Sequence, residues 1–167
     1  MSDDQAIETP VTRDLHARGI PFRLFRHTSQ LHSLEQAAQE RGQRPHQVVR
    51  SILFRLSADQ FVMVLAAGPD QISWPALRQH LGVSRLSMAS EEEVLAQTGY
   101  VRGSVSPFGL PEPDDPARRI RILIDESIFD EDEISLGSGV RNTTIMMSTG
   151  DLRHALPGAE VGCFVEC

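Results

Sequence analysis

The chain has 167 residues, and all 16 of its basic side chains are arginine; against 23 acids this leaves a net charge of −7. A chain without lysine forms no Schiff base and no G-x-x-x-x-G-K-[ST] phosphate loop, which excludes pyridoxal-phosphate chemistry, lysine-dependent aldolases and that class of nucleotide site. The acidic balance opposes a wide grip on DNA or other nucleic acid, though it permits a local arginine-lined cleft.

The start, Met1-Ser2-Asp3-Asp4, is acidic and polar, unlike a signal peptide. Thr9-Pro10 opens the first helix, with threonine as N-cap and proline at the first helical position, and Gly19 closes it. Phe22 to Phe25 reads as a short strand. Ser33-Leu34-Glu35-Gln36 is a capping box for a second helix, closed by Gly42, and Pro45 to Val48 adds a further turn. Arg50 to Leu56 and Gln60 to Ala67 read as a hairpin around Ser57-Ala58-Asp59. The apolar run Phe61 to Ala67 is strand-sized, far short of a membrane span. Ser73 to Leu81 is a helix followed by Gly82, and Ser90-Glu91-Glu92-Glu93 caps another that ends near Gly99. Val101 to Val105 is strand-like.

From Pro107 to Pro116 the chain carries four of its ten prolines, too many for a helix or a central strand. Ile120 to Ile124 is a strand, and Asp125 to Glu133 carries six acids around Ile128 and Phe129. Ile134 to Leu136 and Thr144 to Met147 are strands flanking Gly137-Ser138-Gly139. Thr149 caps a last helix to about Leu156, and Glu160 to Val165 is the last strand. Strands and helices mix without strict alternation, so an α+β fold is expected, a mixed sheet with helices around it. One domain over residues 1–167 fits this length, with residues 1–20 as a helical extension and 107–116 as a proline-rich loop. Cys163 and Cys167 both sit at the end and cannot staple the fold, which points to a reduced, cytoplasmic protein.

Two loops carry the clearest chemical signals. In Gly103-Ser104-Val105-Ser106-Pro107-Phe108-Gly109, glycines and a proline fix a turn that can serve as a binding wall; a plain tight turn is the alternative. In Gly137-Ser138-Gly139-Val140-Arg141-Asn142, backbone N–H groups, Arg141 and Asn142 could orient a carbonyl or phosphate; a plain hairpin turn is the alternative. Arg50 opens its strand. Arg118, Arg119 and Arg121 form the densest basic cluster, most simply a solvated surface. His27 and His32 are five apart, and no histidine or cysteine spacing makes a metal site.

Taken together these segments resemble the YbaK/ProX family, related to the editing domain of bacterial prolyl-tRNA synthetases. The resemblance runs from about Phe22 to Val165. Its pieces include Ser33-Leu34-Glu35-Gln36-Ala37-Ala38, Gln47-Val48-Val49-Arg50-Ser51-Ile52-Leu53-Phe54, Thr98-Gly99-Tyr100, Gly103 to Gly109, Ile124-Asp125-Glu126-Ser127 and Gly137-Ser138-Gly139. It implies a partly curled mixed sheet and hydrolysis of the ester that joins a wrong small amino acid to tRNA. The partner would be the 3′ end of an aminoacyl-tRNA, with room for an aminoacyl-tRNA synthetase; no cofactor, metal or membrane is implied. Gly103 through Pro107 would wall the aminoacyl pocket, with Ser104, Ser106 and Phe108 in the same loop. Gly137, Ser138 and Gly139 would stand opposite, beside Arg141 and Asn142.

One departure stands out. The family's functional lysine falls on Arg50. Arginine keeps the charge and can hold an ester carbonyl or ribose, but it lacks an amine's chemistry. Two readings follow: a free-standing editing hydrolase with Arg50 at its catalytic centre, or a non-catalytic binder of aminoacyl-tRNA or a small metabolite. Both require Arg50 at the cleft between the two glycine turns.

Overall fold

The computed structural model describes residues 7–27 and 33–166. The start at Met1 to Asp4, His32 of the histidine spacing, and Cys167 lie outside the described residues. The elements run α1 (Pro10–Ala17), β1 (Arg23–Arg26), α2 (Leu34–Glu40), β2 (Val49–Ser57), β3 (Gln60–Ala67), α3 (Trp74–Leu81), β4 (Ser87–Met88) and α4 (Glu91–Thr98), then β5 (Arg121–Asp125), β6 (Glu133–Gly137), β7 (Thr143–Ser148), α5 (Thr149–Ala155) and β8 (Glu160–Gly162).

Capping chemistry sets the helix starts. Thr9, Ser33, Ser73 and Ser90 each accept a backbone N–H from the first turn. At α5 the cap is Ser148, one residue before the expected Thr149, and it accepts from Asp151 N. In place of a strand over Val101 to Val105 the chain makes a turn, in which Ser104 N donates to Val101 O at 3.0 Å. The acidic run folds as a 3-10 helix, Glu126–Asp130, capped by Asp125. β4 was not expected, being only two residues long. β8 stops at Gly162 because Phe164 N turns to donate to the buried Asp125 carboxylate at 2.7 Å.

The architecture is α+β, as expected, but the single curled sheet resolves into two. A five-stranded mixed sheet has the order β4-β2-β3-β5-β8, and a three-stranded sheet has the order β1-β7-β6. β2 and β3 form the antiparallel hairpin, from Val49↔Ala67 to Ser57↔Gln60, whereas β5 lies parallel to both β3 and β8. The sheets meet at one bridge between Val48 and Ser135. β3 is buried on both faces, which explains its unbroken apolar run. Phe61, Met63 and Leu65 join the main core with Val49, Leu53, Ile134, Leu136 and Ile145. Val62 and Val64 face a second cluster with Phe54, Leu77, Leu123 and Phe164.

Candidate functional site

The seam between the sheets is incompletely closed. On the side of β2 away from β3, β4 pairs only with Phe54 and Arg55, and Val48 bridges Ser135. The strand edge between these ends borders a cavity of about 740 Å³. Residues 48–53 form its floor. Its lining also includes Ala37 of α2, Arg41 at the end of that helix, Asn142, Thr143 and Thr144, together with Met88, Glu91 and Arg102.

The two glycine loops are packed against each other at its rim. A β-carbon on Gly137 would lie 2.1 Å from Val105 O, so only glycine lets β6 come this close to the loop. Gly139 N donates to Ser104 O at 3.0 Å. α1 braces both loops from behind: Thr9 Oγ1 donates to Ser138 O at 2.7 Å, and Gly109 N donates to Asp14 Oδ2 at 2.8 Å. Tyr100 completes this brace by donating its hydroxyl to Phe108 O at 2.6 Å, and burial pushes the Tyr100 phenol up to about 12.

Of the residues singled out in the sequence, Arg50, Gly103, Gly137 and Asn142 come together on the cavity wall. Ser104, Ser106, Pro107, Phe108 and Ser138 are buried and Gly139 is partly buried, and none of the six lines the cavity. The three hydroxyls hold the turns. Ser104 Oγ donates to Val101 O, Ser106 Oγ accepts from Phe108 N, and Ser138 Oγ bonds Val140 O and Thr143 O. A buried turn leaves backbone groups that side-chain hydroxyls must satisfy, which removes them from a ligand-binding role. Phe108 belongs to the main core, and Arg141 is exposed off the cavity.

Arg50 lines the cavity but its guanidinium is already engaged. Nε donates to Gly68 O at 2.8 Å and Nη2 donates to Asp70 O. Neither Gly68 nor Asp70 lines the cavity. Strand alternation places Arg50 on the β2 face of Ile52 and Phe54, which pack in the second cluster. Burial lowers the affinity of this guanidinium for its proton, with the Asp70 charge opposing. Nη1 makes no hydrogen bond to the described residues.

Four further wall residues were missed in the sequence. The His27 side chain is 1% exposed; its Nδ1 lies 2.6 Å from Glu40 Oε2 and its Nε2 lies 2.9 Å from Arg41 Nη1. A guanidinium only donates, so Nε2 accepts and Nδ1–H donates to Glu40. Arg41 is thereby held at the cavity, and burial pulls its guanidinium down to about 10, against the Glu40 charge. Ser51 and Ser135 also stand on the wall, with hydroxyl oxygens that are buried and have no hydrogen-bond partner among the described residues. His27 was read only for metal spacing, and nothing in the local sequence marks Ser135.

The expected basic cluster is neutralised in place. Arg118 pairs with Asp59, Arg119 with Glu112, and Arg121 with Glu160. Among the described residues, no three of His, Cys, Asp and Glu are grouped to hold a metal, and no helix is long and apolar enough to cross a membrane.

The family described as the aminoacyl-tRNA editing domain matches residues 28–155. YwhH of Bacillus subtilis (strain 168), itself uncharacterized, is 33% identical over 120 residues, covering 72% of each chain. The multifunctional Ser/Thr-tRNA deacylase ProXp-y of Escherichia coli (strain K12) is 27% identical over 148 residues, 86% of this chain and 84% of that one. The proline–tRNA ligase of Aquifex aeolicus (strain VF5) is 26% identical over 128 residues, and the match spans only 20% of the ligase. A crystal structure of a candidate trans-editing enzyme for prolyl tRNA synthetase shares the fold, with a TM-score of 0.83 at 23% identity over 100% of this chain and 99% of that one.

Proposed function

The chain belongs to the aminoacyl-tRNA editing domain family, and from that membership we propose that it hydrolyses the ester linking a mischarged small amino acid to the 3′ end of tRNA. The observation that carries this reading is the cavity between the open edge of β2 and the paired loops at Gly103 and Gly137. Its volume suits a terminal nucleoside with its aminoacyl group, and its walls are shaped by backbone. An open strand edge and glycine turns offer N–H groups, the donors that stabilise an ester oxyanion. Of the groups on the wall that could serve as a base, the His27 imidazole is taken up by Glu40 and Arg41, and the Glu91 carboxylate pairs with Arg102 at 3.3 Å. Attack by water oriented by substrate and backbone is therefore the mechanism that fits. Pocket size would exclude larger amino acids, as in a second editing sieve. ProXp-y supports small polar aminoacyl groups as the first substrates to try.

Arg50 would act through its charge and its Nη1 donors. The engagement of its other donors by Gly68 and Asp70 favours the second reading, a binder that does not cleave. A panel of aminoacyl-tRNAs separates the two, assayed with wild type, Arg50→Lys and Arg50→Ala. The hydrolase reading expects turnover by wild type, and Arg50→Ala should lower kcat/KM about 10–100-fold, the worth of a charge-assisted hydrogen bond. Tight tRNA binding with no turnover of any ester would leave the binder.

A further inference from the structure

We propose that a second groove, separate from the cavity, is a phosphate-binding track for the RNA whose 3′ end reaches the cavity. The groove has a volume of about 570 Å³ and is lined by Arg55, Arg78, Arg85, Ser57, Ser84 and Ser87, with Leu56 and Leu86 beneath. The inference rests on the reading of the cavity as an aminoacyl-RNA site.

Charge is the first argument. The chain as a whole is acidic, yet this groove has three arginines on its wall and no carboxylate. Most other arginines are neutralised where they stand: Arg13, Arg18, Arg23 and Arg44 pair with acids, as does the cluster from Arg118 to Arg121. Arg78 and Arg85 make no ion pair among the described residues. Arg55 reaches Glu93 at 3.4 Å, at the edge of the groove. These three arginines come from β2, α3 and the segment before β4, so the fold, not the sequence, brings them together.

Hydroxyls are the second. Ser57, Ser84 and Ser87 are exposed along the same walls. Arginines interleaved with short hydroxyls suit phosphate oxygens, which take donors of both kinds without regard to base sequence. Ser87 is the register partner of Arg55, so the two side chains leave the sheet side by side.

Continuity is the third. β4 is an edge strand only two residues long; Ser87 lines the groove and the next residue, Met88, turned to the other face, lines the cavity, so the two sites adjoin around the sheet edge. A ligand that fills both is long, carries several negative charges, and ends in a group small enough for the cavity. A single RNA strand ending in an aminoacyl ester has that form. An acidic protein surface would match the charge, but it has no reactive end to place in the cavity.

The test uses the full chain and two probes, an aminoacylated tRNA and the corresponding 3′-aminoacyl adenosine. The variants are R78Q/R85Q, which removes charge at similar size, and R78E/R85E, which reverses it. The expected result is tRNA binding weakened by about tenfold or more at low salt. The slope of log K against log salt should also be shallower by about 2, one for each arginine removed. Cleavage of aminoacyl adenosine should stay at the wild-type rate in both variants. Wild-type tRNA affinity and salt slope in both variants overturn the track, while retained cleavage leaves the proposed activity standing. Equal losses on tRNA and on aminoacyl adenosine also overturn it, since they mark a disturbed cavity. If wild type cleaves neither probe but binds tRNA through these arginines, the track stands and the hydrolase reading falls.

Discussion

At the scale of single residues, the arginine at position 50 is held in a way that a lysine there could not be. A lysine ammonium at position 50 would be one point charge on a flexible stem, whereas the guanidinium has a fork of donors that the turn at Gly68 and Asp70 can clamp. Residue 50 therefore lines the cavity while its side chain ties the end of the β2–β3 hairpin. His27 shows the same coupling of roles. Its contacts fix the neutral tautomer with the proton on Nδ1, because Arg41 can only donate to Nε2. Imidazole ¹⁵N shifts at neutral pH should show a protonated Nδ1 and a bare Nε2. Finding the proton on Nε2 would refute the arrangement. His27→Ala removes the acceptor for Arg41 and should cost about 1–3 kcal/mol of stability in urea unfolding.

At the scale of elements, the two glycine loops act as one unit because β6 and the loop touch backbone to backbone. Gly137→Ala places a β-carbon 2.1 Å from Val105 O, a contact that no rotamer change relieves. The expected cost is about 1–3 kcal/mol, read by denaturant titration, with weakened aminoacyl-tRNA binding as the loops part. A variant as stable as wild type would show that the loops are not packed as described. Elements of this kind were the most legible part of the sequence. Capping serines and threonines announced the helices, and the apolar run of β3 announced a strand buried on both faces. The strand expected over Val101 to Val105 failed because Gly103 takes φ +93°, which turns the chain before a ladder can form. The seam was not legible at all. The Val48–Ser135 contact joins residues far apart in sequence, and no local pattern encodes it.

At the scale of the whole molecule, the site residues follow the same rule. Arg50, Gly103, Gly137 and Asn142 could be named because glycines and a family position flagged them, and the fold set them on one wall. Ser104, Ser106, Phe108 and Ser138 share those segments but face inward, since burying a turn requires hydroxyls and an apolar anchor. Spacing alone does not separate a side chain that faces a ligand from one that holds the turn. Global stability carries one pH signature of this packing. Tyr100 keeps its proton to about pH 12 when folded, against about 10 in an unfolded chain. Its contribution is complete below about pH 10 and is lost as pH rises through about 12, a change of order 2 kcal/mol. Arg41, pulled down to about 10, works in the opposite direction over the same range. The stability difference between wild type and Tyr100→Phe isolates the phenol and should shrink between pH 10 and 12. A difference that stays constant with pH would show that the phenol is not buried as described.

The parallel pairing of β5 has a consequence for how the chain acquires its shape. β2 and β3 meet across a two-residue turn and can zip as soon as they are made. β5 finds β3 only after a detour of more than fifty residues, from Val62 to Arg121, and β8 adds itself at Glu160, near the end of the chain. Contacts closed over such distances slow folding, because the loop must be paid for in entropy before the sheet rewards it. During synthesis the hairpin therefore waits with the edge of β3 open to a wrong partner until β5 arrives, and β5 in turn keeps an open edge until β8 joins it.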